Sequence, residues 1–268
     1  MEQAKIRKLK KYFQEENNVL MAFVFGSYAK GKEMEESDID IAVYLKEKEK
    51  EDDIWSRVSR IIEDKEVDLV CLNEAPASLI SNVFKTGIPL VIKDKKLYWE
   101  LYLQKSTEAE DFLHFARDFF RIFKSAKSLT PEQQTKLLKR LRFLENELTE
   151  IKEFKKLTFK EYKDDKVKKR NIERWVESII NATIDIAKLI LASEKKEMPR
   201  SYEEALRDFG ILTGLTGKKS IKFSRFANLR NILAHEYLDI LYSKIQDFIK
   251  ESPDLYKKIL NFLERYLK

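Results

Sequence analysis

The first hundred residues of the chain switch repeatedly between two hydrophobic periods. Apolar residues recur at helical spacing at about residues 3–16, 53–63 and 76–86. Short apolar or alternating runs, typical of strands, fall at residues 19–25, 38–43, 67–72 and 89–92. Strands and helices in this order predict an α+β domain, a mixed sheet with flanking helices.

From about Leu97 onward only the helical period is left. Long helices are predicted at residues 101–123, 133–154, 167–191 and 221–241. A last helix is predicted from Pro253 to Leu267, because proline is tolerated in the first turn of a helix. Breaks are predicted at Thr130-Pro131, at Met198-Pro199 and at Gly210, Gly214 and Gly217. The chain should therefore hold two domains, residues 1–120 and an all-α helical bundle at residues 121–268.

Composition sets the class of protein and the expected compartment. Charged residues make up 37% and hydrophobic residues 43% of the 268 residues, which is typical of a globular chain with a charged surface. The single cysteine, Cys71, excludes an internal disulfide and fits a reducing compartment. The start of the chain is charged, and the longest apolar stretch, residues 179–192, is interrupted by Asn181, Asp185 and Lys188. We therefore expect a cytoplasmic protein without a signal peptide or a membrane span.

Charge and histidine content narrow the function only slightly. The formal net charge of +6 is compatible with RNA or nucleotides as partners. Lysine and glutamate are interleaved throughout, as on many solvated surfaces, so the charge alone does not decide the partner. With two histidines in the whole chain, a histidine-rich metal site is excluded.

A carboxylate pattern stands out in the predicted α+β domain. Gly26-Ser27 follows the first strand, and Asp38 and Asp40 sit on the second strand. Residues i and i+2 of a strand point to the same face, so the two carboxylates should converge, and hard oxygen ligands of this kind select Mg²⁺. Asp68 could add a third carboxylate from a neighbouring strand. Three acids around a divalent metal can orient a triphosphate and activate a hydroxyl for nucleotidyl transfer.

This combination resembles the minimal nucleotidyltransferase family of the polymerase-beta-like superfamily, over roughly residues 5–120. The resemblance implies that Asp38, Asp40 and Asp68 are metal ligands and catalytic acids, with Mg²⁺ as cofactor and ATP as substrate. The residues that it implies for nucleotide binding are Gly26, Ser27 and Lys30. Lys30 stands where the family commonly has arginine; it keeps the charge but loses the bidentate fork.

A second pattern lies late in the predicted bundle, where Arg230, His235 and Tyr237 share one helical segment. Helical geometry puts Tyr237 nearly on the same face as Arg230, with His235 about 140° around from Arg230. A histidine can move protons near neutral pH, and an arginine can stabilise a pentavalent phosphate, so the pair could cleave RNA without a metal. On the residues alone, a hydrogen-bonded structural role is the alternative.

The Arg-x4-His-x-Tyr motif in a helical bundle resembles the HEPN family, and most of all its toxin branch, over about residues 128–268. The resemblance implies a homodimer in which Arg230 and His235 form a ribonuclease site. It also implies that a nucleotidyltransferase partner adds AMP to the tyrosine two residues after the histidine, which is Tyr237 here. Asn231 matches the polar residue that often follows the arginine.

Together these patterns predict an Mg²⁺- and ATP-dependent nucleotidyltransferase fused to a HEPN ribonuclease, a toxin–antitoxin-like unit with RNA as a further partner. One alternative is transfer to a small molecule such as an aminoglycoside, held by acidic residues of the bundle. Candidates for that role, Glu145 and Glu147, are expected to be ordinary solvated positions. Another alternative is a non-catalytic nucleotide sensor.

Overall fold

A computed structural model describes residues 3–29, 38–63, 66–125, 129–235 and 241–267 of the chain. It divides the chain into two compact units, Met1–Glu110 and Asp111–Lys268. The dividing point falls inside one continuous helix, Lys95–Phe123. The domain limits 1–120 and 121–268 stay a prediction.

The first unit is built on a four-stranded mixed sheet. Its strands are β1 (Val19–Val24), β2 (Ile39–Leu45), β3 (Val67–Cys71) and β4 (Ile88–Ile92), in the order β3-β2-β1-β4. Strands β2 and β3 are parallel, while β1 is antiparallel to both β2 and β4. The helices of this unit are α1 (Gln3–Glu15), α2 (Gly26–Ala29), α3 (Glu51–Ile62), α4 (Ala77–Thr86) and the first part of α5 (Lys95–Phe123). The predicted α+β fold is confirmed.

A hydrophobic core lies on each face of the sheet, and successive side chains of β2 belong alternately to one core and the other. Ile39, Ile41 and Val43 belong to a core shared with residues of α1 and α3. Ala42 belongs to a second core, shared with residues of α4. Since successive side chains of a strand point to opposite faces, Asp40 lies on the same face as Ala42.

The second unit is helical. After the end of α5 it contains α6 (Pro131–Thr149), α7 (Ile151–Phe154), α8 (Phe159–Asp164), α9 (Lys166–Ser193), α10 (Tyr202–Leu212), α11 (Gly217–His235) and α12 (Leu241–Tyr266). Helix α9 runs through the core, with Ile179, Ile180 and Ile186 fully buried. The predicted all-α bundle is confirmed. No helix among the described ranges combines the length and the apolar character needed to cross a membrane.

Side-chain caps explain where several of these helices begin. Thr130 and Gln133 form a reciprocal capping box at α6, with Pro131 in the first turn. Asp165 accepts hydrogen bonds from two backbone amides of α9, and the Ser201 hydroxyl accepts one from Glu204 in α10. The predicted break at Thr130-Pro131 therefore has a local physical cause.

Two predicted helix boundaries are wrong. Pro253 does not begin a helix but lies inside α12. Buried residues on both sides of it, Phe248 and Tyr256 among them, hold α12 together, although an interior proline costs about 3 kcal/mol or more. Gly210 does not end a helix but lies inside α10. A Cβ there would come within 3.2 Å of the Leu215 side chain and 3.3 Å of the Phe223 ring, so the glycine permits close packing.

Candidate functional site

Two acids of the predicted carboxylate site are direct neighbours across the sheet. Asp40 and Asp68 are register partners in the parallel pair β2–β3. Partners in a parallel ladder have side chains on the same face, so both carboxylates point to one side of the sheet, at the beginning of each strand. Asp38 lies two positions before Asp40, immediately outside β2, and its side chain is exposed.

The charges of the three acids act on one another. Burial raises the pKa of the Asp40 carboxyl above its usual range, and the negative charges of Asp68 and then Asp38 raise it further. The three carboxylates are therefore close enough to repel when ionised. A divalent cation would remove that repulsion, and an all-oxygen donor set of this kind suits Mg²⁺.

The protein alone does not form a closed metal cage in the part of the chain that the structure describes. No three His, Cys, Asp or Glu side chains there are arranged to hold a metal ion by themselves. Mg²⁺ is usually held by one or two carboxylates, with waters and the phosphates of a substrate as the other ligands. Asp38, Asp40 and Asp68 therefore fit a metal that is held jointly with a nucleotide.

The position of the Asp40 carboxylate leaves no room for a side chain at position 26, which is a glycine. Its φ of +72° lies in the left-handed region, which favours glycine. A Cβ at Gly26 would also lie 1.8 Å from Oδ2 of Asp40, so no side chain fits there. The backbone N–H of Phe25 donates to the carbonyl of Asp40 at 3.0 Å, which ties the start of this turn to β2. Ser27 follows in the short helix α2, and Lys30 lies outside the described residues.

In the second unit, Arg230 is held by partners that lie far away in the sequence. Its Nε donates to Oδ1 of Asn181 at 2.9 Å, and its Nη1 donates to Oδ2 of Asp111 at 2.9 Å. Its guanidinium also lies over the ring of Tyr202, 5.3 Å from the centroid. The Arg230 side chain is only 14% exposed. Its Nη1 also donates to Oδ1 of Asn231 at 3.3 Å, and among the described residues its Nη2 has no hydrogen-bond partner.

The other members of the predicted motif are less fully described. His235 is the last residue of α11, and Tyr237 lies outside the described residues. Of the three predicted motif residues, Arg230 is therefore the one whose side-chain contacts the structure describes.

Three residues around Arg230 were missed by the sequence reasoning. Asp111 is 119 positions from Arg230 and Asn181 is 49 positions away, so no local motif links them. The Tyr202 hydroxyl donates to the backbone carbonyl of Asp111 at 3.0 Å, and burial raises the pKa of Tyr202 to about 12. Tyr202 is therefore a neutral phenol at physiological pH, and its ring provides a flat surface for the guanidinium.

Family models match both parts of the chain. Residues 7–96 match the model described as "Polymerase beta, Nucleotidyltransferase", and residues 144–263 match the model described as "Ribonuclease HepT-like". A nucleotidyltransferase model and a HepT-like model thus match successive parts of one chain. The predicted resemblance to these two families is confirmed.

Solved structures similar to this two-domain chain include toxin–antitoxin proteins. One is a toxin–antitoxin crystal structure with AMP-PNP, 23% identical, covering 42% of this chain and 90% of that chain, with a TM-score of 0.35. Another is a tri-AMPylated Shewanella oneidensis HEPN toxin in complex with an MNT antitoxin, 22% identical, covering 42% and 89%, with a TM-score of 0.34. Comparison with curated proteins returned no match.

Proposed function

We propose that the nucleotidyltransferase domain transfers AMP from ATP to a hydroxyl group. The observation that carries this proposal is the pairing of Asp40 with Asp68 across β2 and β3, with Asp38 near enough to raise the pKa of Asp40. Three mutually repelling carboxylates beside a turn that only glycine fits make a site for a cation and a phosphate chain rather than a stable structural cluster.

Each residue has a proposed role in this transfer. Asp38, Asp40 and Asp68 would hold Mg²⁺, which when bound neutralises phosphate charge and makes the attacking hydroxyl more acidic. The backbone at Gly26, the hydroxyl of Ser27 and the amine of Lys30 bind the triphosphate. The exposed Asp68 carboxylate accepts the proton of the acceptor hydroxyl. A bond forms between the acceptor oxygen and the α-phosphorus, the bond to the β-phosphate oxygen breaks, and pyrophosphate leaves.

The proposed second activity is metal-independent cleavage of RNA by the HepT-like domain, acting as a homodimer. His235 takes the proton of a ribose 2′-hydroxyl as this oxygen forms a bond to the adjacent phosphorus; the bond from phosphorus to the 5′-oxygen of the next nucleotide breaks, and that oxygen takes up a proton from water. Arg230 stabilises the charge of the pentavalent phosphate through its Nη2 edge. AMP added to Tyr237 would place a bulky anion two residues from His235 and silence this activity. The whole chain would then act as a toxin–antitoxin-like unit.

An intact-mass measurement tests the transferase proposal directly. The purified chain is incubated with ATP and Mg²⁺, and any modified peptide is sequenced, beside an Asp38→Asn/Asp40→Asn double variant. We expect AMP adducts on Tyr237 in the native chain and none in the double variant. Adducts of equal yield in both proteins would refute the role of the two aspartates. No adduct on the chain at all would refute self-modification and leave an external acceptor.

One structural observation favours a second candidate, transfer to a cationic small molecule. A cavity of about 690 Å³ in the helical unit is lined by four glutamates, three cationic side chains and three aromatic rings, an excess of one negative charge. The glutamates are Glu147, Glu150, Glu153 and Glu161, the cations are Lys156, Lys168 and Arg174, and the rings are Phe143, Phe154 and Trp175. Glu147 is half-buried rather than solvated, and burial, followed by the charge of Glu150, raises the pKa of its carboxyl. Incubation with radiolabelled ATP and a panel of aminoglycosides tests it; label on the protein alone would exclude this candidate.

A further inference from the structure

Arg230 has a counterpart in the same unit that no motif indicates. Lys188 is also only 14% exposed, and its Nζ pairs with Oδ2 of Asp118 at 3.2 Å and with Oδ1 of Asp185 at 3.4 Å. It lies over the ring of Phe115, 5.7 Å from the centroid. Both cations therefore have an aspartate from α5, a polar side chain from α9 and an aromatic ring as partners.

Arg230 comes from α11, and its two partners lie on the same two helices, α5 and α9, as the Lys188 ion pair. The α5 partners of the two cations, Asp111 and Asp118, are seven positions apart, and so are Asn181 and Lys188 on α9. Seven residues are nearly two helical turns, so each pair lies on one face of its helix with a rise of about 10 Å between the members. Arg230 and Lys188 thus form two successive cationic cross-links between α5 and α9.

Beside Lys188 a groove of about 770 Å³ opens between α5, α6 and α9. Five cationic and three anionic side chains line it, which leaves an excess of two positive charges. The cations are Arg121, Lys136, Lys139, Arg140 and Lys188, and the anions are Asp118, Glu132 and Asp185. Buried or half-buried apolar side chains of Ile122, Phe143 and Leu189 also line it.

The ion pairs in this groove leave cationic groups available. Arg140 pairs with Asp185 at 2.5 Å, Arg121 with Asp118 at 3.0 Å, and Lys136 with Glu132 at 2.6 Å. Because Asp118 and Asp185 also share Lys188, two carboxylates serve three cations. Lys139 is exposed and pairs with no acid in the described part of the chain. Arginine and lysine donors in excess of carboxylates are the groups that bind phosphates.

We propose that the groove between α5, α6 and α9 binds the phosphate backbone of the RNA whose cleavage is assigned to Arg230 and His235. This inference rests on the proposed ribonuclease function. RNA is favoured over a free nucleotide because the groove and the two partners of Arg230, Asp111 and Asn181, lie along the same two helices, α5 and α9, so one strand of regularly spaced phosphates can meet both the groove and Arg230. Most of the groove residues, those from 118 to 143, lie outside the ranges 7–96 and 144–263 that the family models match.

Binding of an RNA that cannot be cut separates this inference from the cleavage proposal. A fluorescent single-stranded 2′-O-methyl RNA lacks the attacking hydroxyl, so fluorescence anisotropy on the full chain reports binding alone. The test variant is Arg121→Glu/Lys139→Glu, and the control is Lys250→Glu/Lys257→Glu, which reverses two exposed lysines of α12. Circular dichroism confirms that both variants are folded.

We expect the groove variant to bind RNA about tenfold more weakly or worse, and the control to bind like the native chain. The slope of log Kd against log salt should fall by about 0.7 for each phosphate that the groove variant no longer neutralises. Equal weakening in both variants, or none in the groove variant, overturns the proposal. So does a groove variant that loses 5′-AMP binding while it keeps RNA binding, since the groove would then be a nucleotide site.

A cleavage assay with unmodified RNA completes the separation. The groove variant should raise KM and leave kcat nearly unchanged, whereas Arg230→Ala should lower kcat. If the Arg230→Ala variant cleaves RNA at the same rate as the native chain, the proposed ribonuclease function is rejected. The anisotropy measurement decides in that case, too, whether the groove binds RNA. A groove variant that lowers kcat at unchanged KM contradicts a binding role for the groove.

Discussion

The carboxylate of Asp40 occupies the space that a side chain at Gly26 would need. The Cβ of any other residue would lie 1.8 Å from Oδ2 of Asp40. Glycine at position 26 is therefore required by the position of the Asp40 carboxylate as well as by its own φ of +72°. The motif glycine and the motif aspartate act as one unit, although 13 residues separate them in the sequence.

Gly26→Ala should lower the rate of AMP transfer by about 100-fold or more, because displacement of a catalytic group by about 1 Å has an effect of this size. The measurement is adduct formation by intact mass over time. Gly214→Ala is the matched control, because Gly214 has a similar φ of +87° but open space around the missing Cβ. If both variants lose transfer equally, backbone strain and not the contact with Asp40 is responsible.

Asp40→Asn should stabilise the metal-free protein at about pH 7 and have no effect at about pH 3. The folded-state pKa of Asp40 is raised, so its carboxylate costs stability at any pH above that raised pKa. The cost fades as the pH falls through the ordinary carboxyl range and the group is protonated in both states. Thermal unfolding across pH checks this.

The control is Glu49→Gln, in the same unit. Because the Glu49 side chain is exposed, its replacement should not raise the melting temperature as Asp40→Asn does. Mg²⁺ with ATP should raise the melting temperature of the native chain more than that of Asp40→Asn. A variant less stable than the native chain at neutral pH would mean that Asp40 is stabilised by contacts that outweigh the repulsion.

Asp111→Asn should destabilise the helical unit by about 1–3 kcal/mol, because it leaves the Arg230 charge without its carboxylate in a largely buried place. Urea unfolding followed by circular dichroism measures this. Arg207, which is 45% exposed and pairs with Glu204 at 3.1 Å, gives the comparison: Arg207→Ala should cost about 0–1 kcal/mol. Equal costs would show that the Arg230 pair behaves as an ordinary surface ion pair.

Gly210→Ala should destabilise the chain by about 1–2 kcal/mol, although alanine is the better helix former by about 1 kcal/mol. The added methyl group would press on the buried side chains of Leu215 and Phe223, at 3.2 and 3.3 Å. Gly217→Ala, with nothing within 4 Å, should be neutral or stabilising by the same unfolding measurement. A gain in stability for Gly210→Ala would mean that these neighbours can move aside.

The sequence predicts those features of the site that depend on the spacing of residues within one strand or helix. Alternation alone places Asp40 on one face of β2, and the mixed sheet follows from the order of strands and helices. The alignment of Asp40 with Asp68 is different, because register depends on how two strands pair and not on either strand alone. The same holds for Arg230, whose partners Asp111 and Asn181 come from two other helices.

The two wrong helix boundaries share one cause. Local rules place glycine and proline at the ends of helices, and both Gly210 and Pro253 break that rule inside a helix. Tertiary packing decides at both positions: close approach of neighbouring side chains at Gly210, and burial of residues on both sides of Pro253. No window of sequence contains that information.

The continuous helix α5 determines where a fragment that contains the helical unit has to begin if Arg230 and Lys188 are to keep their ion pairs. A fragment cut at residue 121 would lose Asp111 and Asp118, and both Arg230 and Lys188 would then lack their α5 carboxylates. Any free-standing version of this domain has to carry a stretch of helix that begins before Asp111. In this chain the helix that begins in the first unit also supplies the carboxylates that pair with Arg230 and Lys188, so a gene rearrangement that replaces the first unit must leave the second part of α5 with the helical unit.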